Sequence, residues 1–231
     1  MTSEYSVLAH TRLFRWAFRP VFRGLFHILG RVSILGVENV PQHGAYIIAI
    51  NHVSLFEPPF MLAFWPVAPE AVGAAEIWER RGQSALARYY GGIPIHRSEY
   101  DRQDMERVLA ALNSGRPLLI SPEGGRSHTL GMRRALPGVA FFIERSNVPV
   151  VPVGVVGATD DFLKLGMKGK RQSLEMRIGS PFRLPSVEGK GEERRLSRQR
   201  NADLIMQRIA TLLPPEYHGV YADHEHNAQT T

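Results

Sequence analysis

A histidine and a glutamate stand five positions apart in the stretch NHVSLFEPP, directly after an apolar run. This spacing is poor for contact on one straight helix, where partners stand three or four residues apart. A bend between Asn51 and Pro58 would bring the Glu57 carboxylate to Nδ1 of His52 and leave Nε2 free to accept a proton. A carboxylate orients a general base toward a hydroxyl group in this way.

The hydroxyl that His52 would act on is open at this point. Ser54 is close in sequence, but no G-x-S-x-G turn surrounds it, so a hydroxyl on a bound substrate is the better candidate. The alternative is a structural histidine at a strand end. The chain has no cysteine, and His43 and His52 are not spaced like a zinc pair, so the sequence predicts no metal site.

Two later stretches carry residue types that could contribute to a ligand site. In GGIPIHR, Arg97 follows a stiff apolar piece, and a guanidinium held there suits bidentate phosphate binding. The alternative is a surface arginine near a turn. In VPVVPVGVVG, the two prolines favour an edge strand or a bulge near a pocket wall, and the alternative is core structure without a role in the site.

A third stretch, SPEGGRS, directly follows a predicted buried strand. The paired glycines, Gly124 among them, allow the backbone to approach a ligand, and with Arg126 they predict a cradle for an anion. Glu123 would hold that arginine in place or hydrogen-bond a substrate hydroxyl. The alternative is a strand-to-helix turn with a capping acid.

The elements that must position these residues alternate along the chain, which predicts an α/β fold with a mixed, mainly parallel sheet flanked by helices. Strands are predicted at 31–35, 45–50, 71–75, 93–95, 117–121, 148–157 and 174–179. Helices are predicted at 61–67, 76–90, 101–113, 132–146 and 192–213. Ligand sites in such sheets form where strands end. We therefore expect the loops that carry these residues to meet there.

The N-terminal segment, residues 5–29, has an amphipathic helical pattern. Its four arginines, at positions 12, 15, 19 and 23, fall on one side, and most of its apolar side chains fall on the other. Pro20 is expected to kink or split the helix. The pattern is typical of a helix lying in the plane of an anionic membrane surface, and the alternative is a helix docked on the protein with solvated arginines.

Length and net charge limit the kinds of partner and the domain organisation that this chain can have. The chain has 231 residues and a net charge of +6, which indicates an anionic partner. A nucleic acid is not expected, because the arginines oppose an apolar face instead of interleaving with exposed aromatics. Neither a signal peptide nor a membrane-spanning helix is predicted. We divide the chain into an amphipathic segment (1–30), an α/β domain (31–217) and a flexible tail (218–231).

These stretches, taken in order, resemble the glycerolipid acyltransferase family. The histidine with its acid, then GxxPxxR, then PEGxRS, then a Val-Pro-rich strand follow that family's motif order, from about Leu35 to Leu184. The narrower resemblance is to the 1-acylglycerol-3-phosphate (lysophosphatidic acid) acyltransferases. It implies transfer of an acyl group from acyl-CoA or acyl carrier protein to the hydroxyl of a lysophospholipid in phospholipid biosynthesis, with no further cofactor.

The resemblance also implies roles for single residues. His52 would be the general base and Glu57 its orienting acid, while Arg97, Glu123, Gly124 and Arg126 would belong to the acceptor site. The Val-Pro strand would shape the acyl-donor side. Such an enzyme is expected at the cytoplasmic face of a membrane, as a peripheral or monotopic protein.

Two positions depart from the family's pattern. The acid after the histidine is usually Asp, whereas here it is Glu57, whose extra methylene moves the carboxylate by roughly 1–1.5 Å. The residue after Glu-Gly is usually Thr, whereas here it is Gly125. The alternatives are therefore another acceptor (glycerol 3-phosphate, another lysolipid or a polyol-linked lipid) or a non-catalytic lipid-binding protein on the same fold.

Overall fold

A seven-stranded sheet forms the centre of the protein in a computed structural model, which describes residues 5–96 and 101–224. The strands are β1 (Gly30–Leu35), β2 (Ile47–Ile50), β3 (Glu70–Ala74), β4 (Ile93–Ile95), β5 (Leu118–Ile120), β6 (Val150–Val156) and β7 (Gln172–Ile178). Their order is β1-β7-β6-β2-β5-β3-β4. Only β6 and β7 pair antiparallel, so the predicted mixed, mainly parallel α/β sheet is confirmed.

Helices cover both faces of this sheet. They are α1 (Ala9–Leu29), α2 (Glu57–Phe64), α3 (Gln83–Tyr90), α4 (Arg102–Asn113), α5 (Gly138–Ser146), α6 (Phe162–Met167) and α7 (Gly191–Ala210). Residues of α1, α2 and α6 share one buried apolar cluster, and residues of α4, α5 and α7 share the other. Successive residues of β2 alternate between the two clusters, as the twofold period of a strand requires.

Strand direction decides which loops meet. Strands β2 to β6 run one way, and β1 and β7 run the other. The carboxyl ends of β2, β5 and β6 therefore share one edge of the sheet, which we call the carboxyl edge, with the amino ends of β1 and β7. The last turn of α1 leads directly into β1 and lies at this edge as well.

Prolines account for two differences between the predicted and observed helices. Helix α2 begins at Glu57, ahead of the predicted start at residue 61, because Pro58 and Pro59 occupy its first turn, where no amide hydrogen is needed. Helix α5 begins at Gly138 instead of residue 132, with Pro137 as its N-cap. A proline deeper in that helix would remove a hydrogen bond and clash with the preceding turn.

Other differences concern short elements. The predicted helix at 76–90 is a 3₁₀ turn, Ala75–Glu79, followed by α3, and α6 was not predicted. The predicted flexible tail is wrong for its first part. Residues Gly219–His224 form a 3₁₀ turn in which the buried Tyr221 hydroxyl donates to Asp203, while the prediction for 225–231 falls outside the described residues.

Strand β6 lies inside the sheet, between β2 and β7, so Pro152 within it and Pro149 before it do not mark an edge. Pro152 does lie opposite a bulge. Val150 pairs with Phe182, but Val153 pairs with Ile178, so one more residue separates the partners on the β7 side. Pro152 sits in this interruption, where its missing amide hydrogen leaves no ladder bond unmade.

Helix α1 is continuous through Pro20 and docks on the body of the protein. Three of its four arginines face inward, contrary to the expectation of solvated or membrane-facing arginines, and Arg12 alone of the four is exposed. Arg15 is buried, and its guanidinium donates to both carboxylate oxygens of Glu70 at 2.8 and 2.7 Å. Arg19 donates to the carbonyl oxygen of Pro66, and Arg23 donates to that of Ala63.

Glu70 explains this orientation. Its carboxylate is fully buried at the start of β3 and also accepts from Arg116 and Tyr5. Burial alone would raise the pKa of Glu70, but the hydrogen bonds and charge of Arg15 outweigh it and hold that pKa below its ordinary value. A buried carboxylate needs such partners, and helix α1 supplies the bidentate one.

Replacing Arg15 by Ala is expected to lower the free energy of unfolding by about 3 kcal/mol, because Glu70 loses its bidentate partner and keeps only Arg116 and Tyr5. The measurement is urea unfolding followed by circular dichroism. The matched control is Arg12→Ala, which removes an exposed arginine from the same helix and is expected to change stability by about 0.5 kcal/mol or less. Equal effects of the two substitutions would show that the Glu70 contact does not hold α1 in place.

Candidate active site

The contact between His52 and Glu57 forms across a bend, as predicted. Nδ1 of His52 lies 2.7 Å from Oε2 of Glu57, across the bend between β2 and α2. Because the carboxylate can only accept, Nδ1 carries the hydrogen, which leaves Nε2 as the acceptor. The His52 side chain is 17% exposed, so this ring is accessible from the surface.

Glu57 has further hydrogen-bond partners. Its two oxygens accept from the backbone amides of Val53 and Ser54 at 3.0–3.1 Å, which closes the bend around the carboxylate. Burial raises the pKa of Glu57, and the hydrogen bonds from His52, Ser54 and Val53 oppose that shift. The same carboxylate therefore shapes the loop and orients the imidazole.

The SPEGGRS stretch holds the backbone of His52 from both sides. The His52 amide donates to Oε1 of Glu123 at 2.8 Å, and the His52 carbonyl accepts from the Ser127 amide at 2.8 Å. The second Glu123 oxygen accepts from the amide of Arg133 at 2.7 Å. Burial raises the pKa of Glu123 to about 7. Glu123 thus joins two loops through their backbones and does not hold Arg126.

Arg126 pairs with a different acid. Its Nη1 lies 2.7 and 2.6 Å from the two carboxylate oxygens of Asp160, in the loop after β6. Asp160 also accepts from the amide of Leu55, three residues after His52. The guanidinium is therefore held beside the loop that carries the predicted base, in contact with a carboxylate.

Gly124 is required by the turn that precedes Arg126. Its φ is +66°, and its amide donates to the carbonyl of Ser121 at 3.1 Å. A Cβ added there would lie 2.3 Å from Cδ1 of Leu136. A side chain would be strained in this conformation and would also collide with Leu136. The structure thus accounts for this glycine by backbone conformation, while its contact with a substrate stays a prediction.

Comparisons with known proteins identify the family of this chain and support its fold. A sequence model of the family described as Acyltransferase matches residues 31–156, more than half of the chain. The chain belongs to the acyltransferase family. It also resembles the crystal structure of PlsC, the 1-acyl-sn-glycerophosphate (LPA) acyltransferase of Thermotoga maritima. The TM-score is 0.60, the identity is 22%, and the match covers 84% of this chain and 79% of that one.

Family membership makes this chain an acyltransferase, so the non-catalytic alternative is set aside. The likeness to PlsC supports the fold. The matched residues include His52, Glu57, Glu123, Gly124 and Arg126, and the structure brings all five to the carboxyl edge. Their individual roles stay predictions. Arg97, predicted to bind the acceptor's phosphate, lies outside the described residues.

Several residues of this acyltransferase site were not foreseen. Asn51 is fully buried, and its amide group donates to the carbonyl of Val155 at 3.0 Å and accepts from the Val155 amide at 2.7 Å. The Asn51 side chain thereby continues the hydrogen bonding between β2 and β6 past the end of β2. Asp160 was missed because its partner Arg126 lies 34 residues away, and Arg133 because it contributes a backbone amide, which its residue type does not indicate. An asparagine directly after a buried strand was the only local signal available.

One group of described residues has the atom types of metal ligands. His96, Asp101 and Asp104 offer ligand atoms within 4.8 Å of one another. Asp104 already accepts from the amide of His96, and lies 2.8 Å from its Nδ1. Asp101 caps α4 by accepting from the amide of Gln103. These contacts explain both acids without a metal ion, because the two side chains hold the chain between β4 and α4 in place.

Replacing Glu57 by Gln is expected to lower kcat by about 10²-fold, because an amide directs its NH₂ group at backbone amides that also donate. Glu57→Asp keeps the carboxylate but shortens its reach, so a smaller loss of about 10-fold is expected. Thiol release from an acyl-CoA donor, measured with each variant shown to be folded by circular dichroism, gives both values. Full activity of Glu57→Gln would remove the orienting role.

Proposed function

We propose that this acyltransferase transfers an acyl group from an acyl thioester to the free hydroxyl of a lysophospholipid, and that the acceptor is 1-acylglycerol 3-phosphate, giving phosphatidic acid. The observation that carries the proposal is the 2.7 Å contact between His52 Nδ1 and Glu57, with Nε2 left as the proton acceptor. The guanidinium of Arg126 beside the same loop supports an acceptor that carries a phosphate.

The reaction follows from these atoms. Nε2 of His52 takes the proton of the acceptor hydroxyl while that oxygen attacks the carbonyl carbon of the thioester. The carbon–sulfur bond then breaks, and the imidazolium returns the proton to the leaving thiolate. The products are an ester and a free thiol, and no acyl-enzyme is needed. Glu57 holds the ring in one tautomer and stabilises the imidazolium that forms.

The bound lipid's position depends on a membrane contact, which we place on the outward side of α1. Because three of the four arginines point inward, this side is mainly apolar, and we call its exposed apolar side chains the apolar face: Leu13, Trp16, Val21, Leu25 and Ile28. These side chains are between 42% and 73% exposed. An apolar face of this kind suits a helix lying in the membrane interface. No helix among the described residues is both long and apolar enough to cross a bilayer.

Other acceptors and both donors are compatible with the same chemistry. Glycerol 3-phosphate, another lysolipid or a polyol-linked lipid would each offer a hydroxyl to His52. A panel of these acceptors, each offered with acyl-CoA and with acyl carrier protein, separates them by kcat/KM. A preference for an acceptor without a phosphomonoester would overturn the choice of lysophosphatidic acid while leaving acyl transfer intact.

Replacing His52 by Ala is expected to lower the rate of thiol release by about 10²–10⁴-fold, because the hydroxyl loses its general base. The control is His43→Ala, which removes an exposed imidazole elsewhere. Both variants are compared with lysophosphatidic acid as acceptor after their folding has been checked. Near-normal turnover of the His52 variant would refute the scheme.

Replacing Asp160 by Asn is expected to lower KM for lysophosphatidic acid by about two- to fivefold. The partly exposed ion pair with Arg126 no longer competes with the acceptor's phosphate, and such pairs contribute about 1 kcal/mol or less. Asn keeps an oxygen for the Leu55 amide. Monoacylglycerol, which lacks the phosphate, serves as the control acceptor, and its KM should not fall. A raised KM for lysophosphatidic acid would instead show that Asp160 positions Arg126.

A further inference from the structure

Three of the four arginines of α1 are engaged with the protein itself and are not available to bind anionic lipid. Arg15 is bound to Glu70, and Arg19 and Arg23 donate to carbonyl oxygens of the body of the protein. Arg12 is the arginine of this helix that is exposed. A helix that presents mainly apolar side chains binds neutral and anionic membranes through the same apolar area. A preference for anionic lipid must therefore come from cations elsewhere.

Such cations lie beside the last turn of α1. The basic cluster comprises Arg31, Lys168, Lys170 and Arg171, all exposed. Within 5–96 and 101–224, no carboxylate lies within 4.0 Å of their charged groups. The segment from Lys168 to Leu174 holds three cations and no acid, whereas Lys164 before it lies 4.0 Å from Asp161. Uncompensated positive charge concentrated in this way attracts an anionic surface.

The basic cluster is fixed to α1 by direct contacts. Nη2 of Arg171 donates to the carbonyl oxygen of Gly30 at 2.8 Å and also to that of His27. Helix α6 packs so closely on the end of α1 that a Cβ added at Gly166 would lie 2.8 Å from Cβ of Leu29. The cations therefore keep a constant position relative to the apolar face.

Exposed apolar side chains continue from the apolar face to the basic cluster. Ile28 is 71% exposed, and on α6 Met167 is 70% and Leu163 is 39% exposed. An apolar strip flanked by lysines and arginines is typical of an interfacial segment that inserts its aliphatic groups and places its cations among headgroups. An acidic protein partner would leave these aliphatic side chains without a comparable environment.

The cluster also has a concave shape and a defined place in the fold. It borders a shallow, open depression, lined by Arg31, Leu165, Gly169, Lys170, Arg171 and Gln172. Gln172 begins β7 and pairs with Gly30 at the start of β1, so the depression lies at the carboxyl edge. The predicted base His52 follows β2 at the same edge.

We propose that the basic cluster binds anionic phospholipid headgroups and, together with the apolar face of α1, turns the carboxyl edge toward the membrane. The proposal rests on the membrane contact given under the proposed function and assigns its preference for anionic lipid to residues outside α1. The cations bind phosphate groups of the surface while Ile28 and Met167 enter the layer beneath.

The test measures partition of the full chain onto vesicles of phosphatidylcholine alone and of phosphatidylcholine with about 30 mol% phosphatidylglycerol, in about 0.1 M NaCl. The variant is Lys168→Gln/Lys170→Gln, which spares the structural contacts of Arg171. We expect its partition onto the anionic vesicles to fall by about 10- to 30-fold, since each cation near such a surface contributes about 1 kcal/mol. Its partition onto neutral vesicles should not fall.

The matched control removes two exposed cations from another part of the surface, in Lys190→Gln/Arg200→Gln at α7, which packs on the opposite face of the sheet. Its partition onto anionic vesicles should stay within about twofold of the wild type. Equal losses in the two double variants would show a general charge effect and overturn the proposal, as would wild-type partition of Lys168→Gln/Lys170→Gln.

A second pair of substitutions separates this proposal from the α1 contact. Trp16→Ser/Val21→Ser removes apolar area and is expected to weaken binding to both kinds of vesicle. Unchanged binding of that variant would refute the apolar face, while the lysine variant still reports on the cluster. If the lysine variant partitions normally but shows a raised KM for the acyl donor, the cluster docks the donor and our assignment is wrong. Vesicle partition does not depend on acyl transfer.

Discussion

The carboxylate of Glu57 is the group on which the geometry of the site depends. It is fully buried, and it accepts hydrogen bonds from the imidazole of His52 and from the backbone amides of Val53 and Ser54. A buried carboxylate is costly unless donors surround it, and the tight bend between β2 and α2 supplies those donors. The requirement to satisfy one charge therefore fixes the loop and the orientation of the predicted base together.

Glu123 and Glu70 are also buried carboxylates that need hydrogen-bond donors, and they find them in different groups. The donors differ because the two residues connect different parts of the protein. Among residues 5–96 and 101–224, the hydrogen bonds to Glu123 come from the backbone amides of His52 and Arg133, which joins their two loops, and burial raises the pKa of Glu123 to about 7. Glu70 binds arginines, including Arg15 of α1, and its pKa is lowered. The first carboxylate assembles the site, and the second attaches the helix that we place at the membrane.

Local sequence patterns predicted the sheet and the His52–Glu57 contact, because apolar runs, glycines and prolines act over a few residues. They did not predict which side of α1 would dock. Helical periodicity separates two faces, but the partner that selects between them, Glu70, lies 55 residues beyond Arg15. For the same reason the spacing within SPEGGRS suggested Glu123 as the partner of Arg126, whereas the actual partner, Asp160, is 34 residues away. Contacts between distant segments are decided by the fold.

The reversal of α1 changes how its amphipathic pattern is interpreted. An arginine side chain can bury its apolar stem and bind carbonyl oxygens, so a row of arginines can form the docked side of a helix while aliphatic and aromatic groups face outward. Trp16 and Ile28 are then the exposed groups, and Arg15 is a structural anchor. Electrostatic attraction to a membrane must in that case come from outside the helix. The uncompensated cations between α6 and β7 lie where α1 ends, at the edge of the sheet that carries His52. Apolar insertion and charge attraction would then act at adjoining places, and together they would restrict how the site can face the lipid.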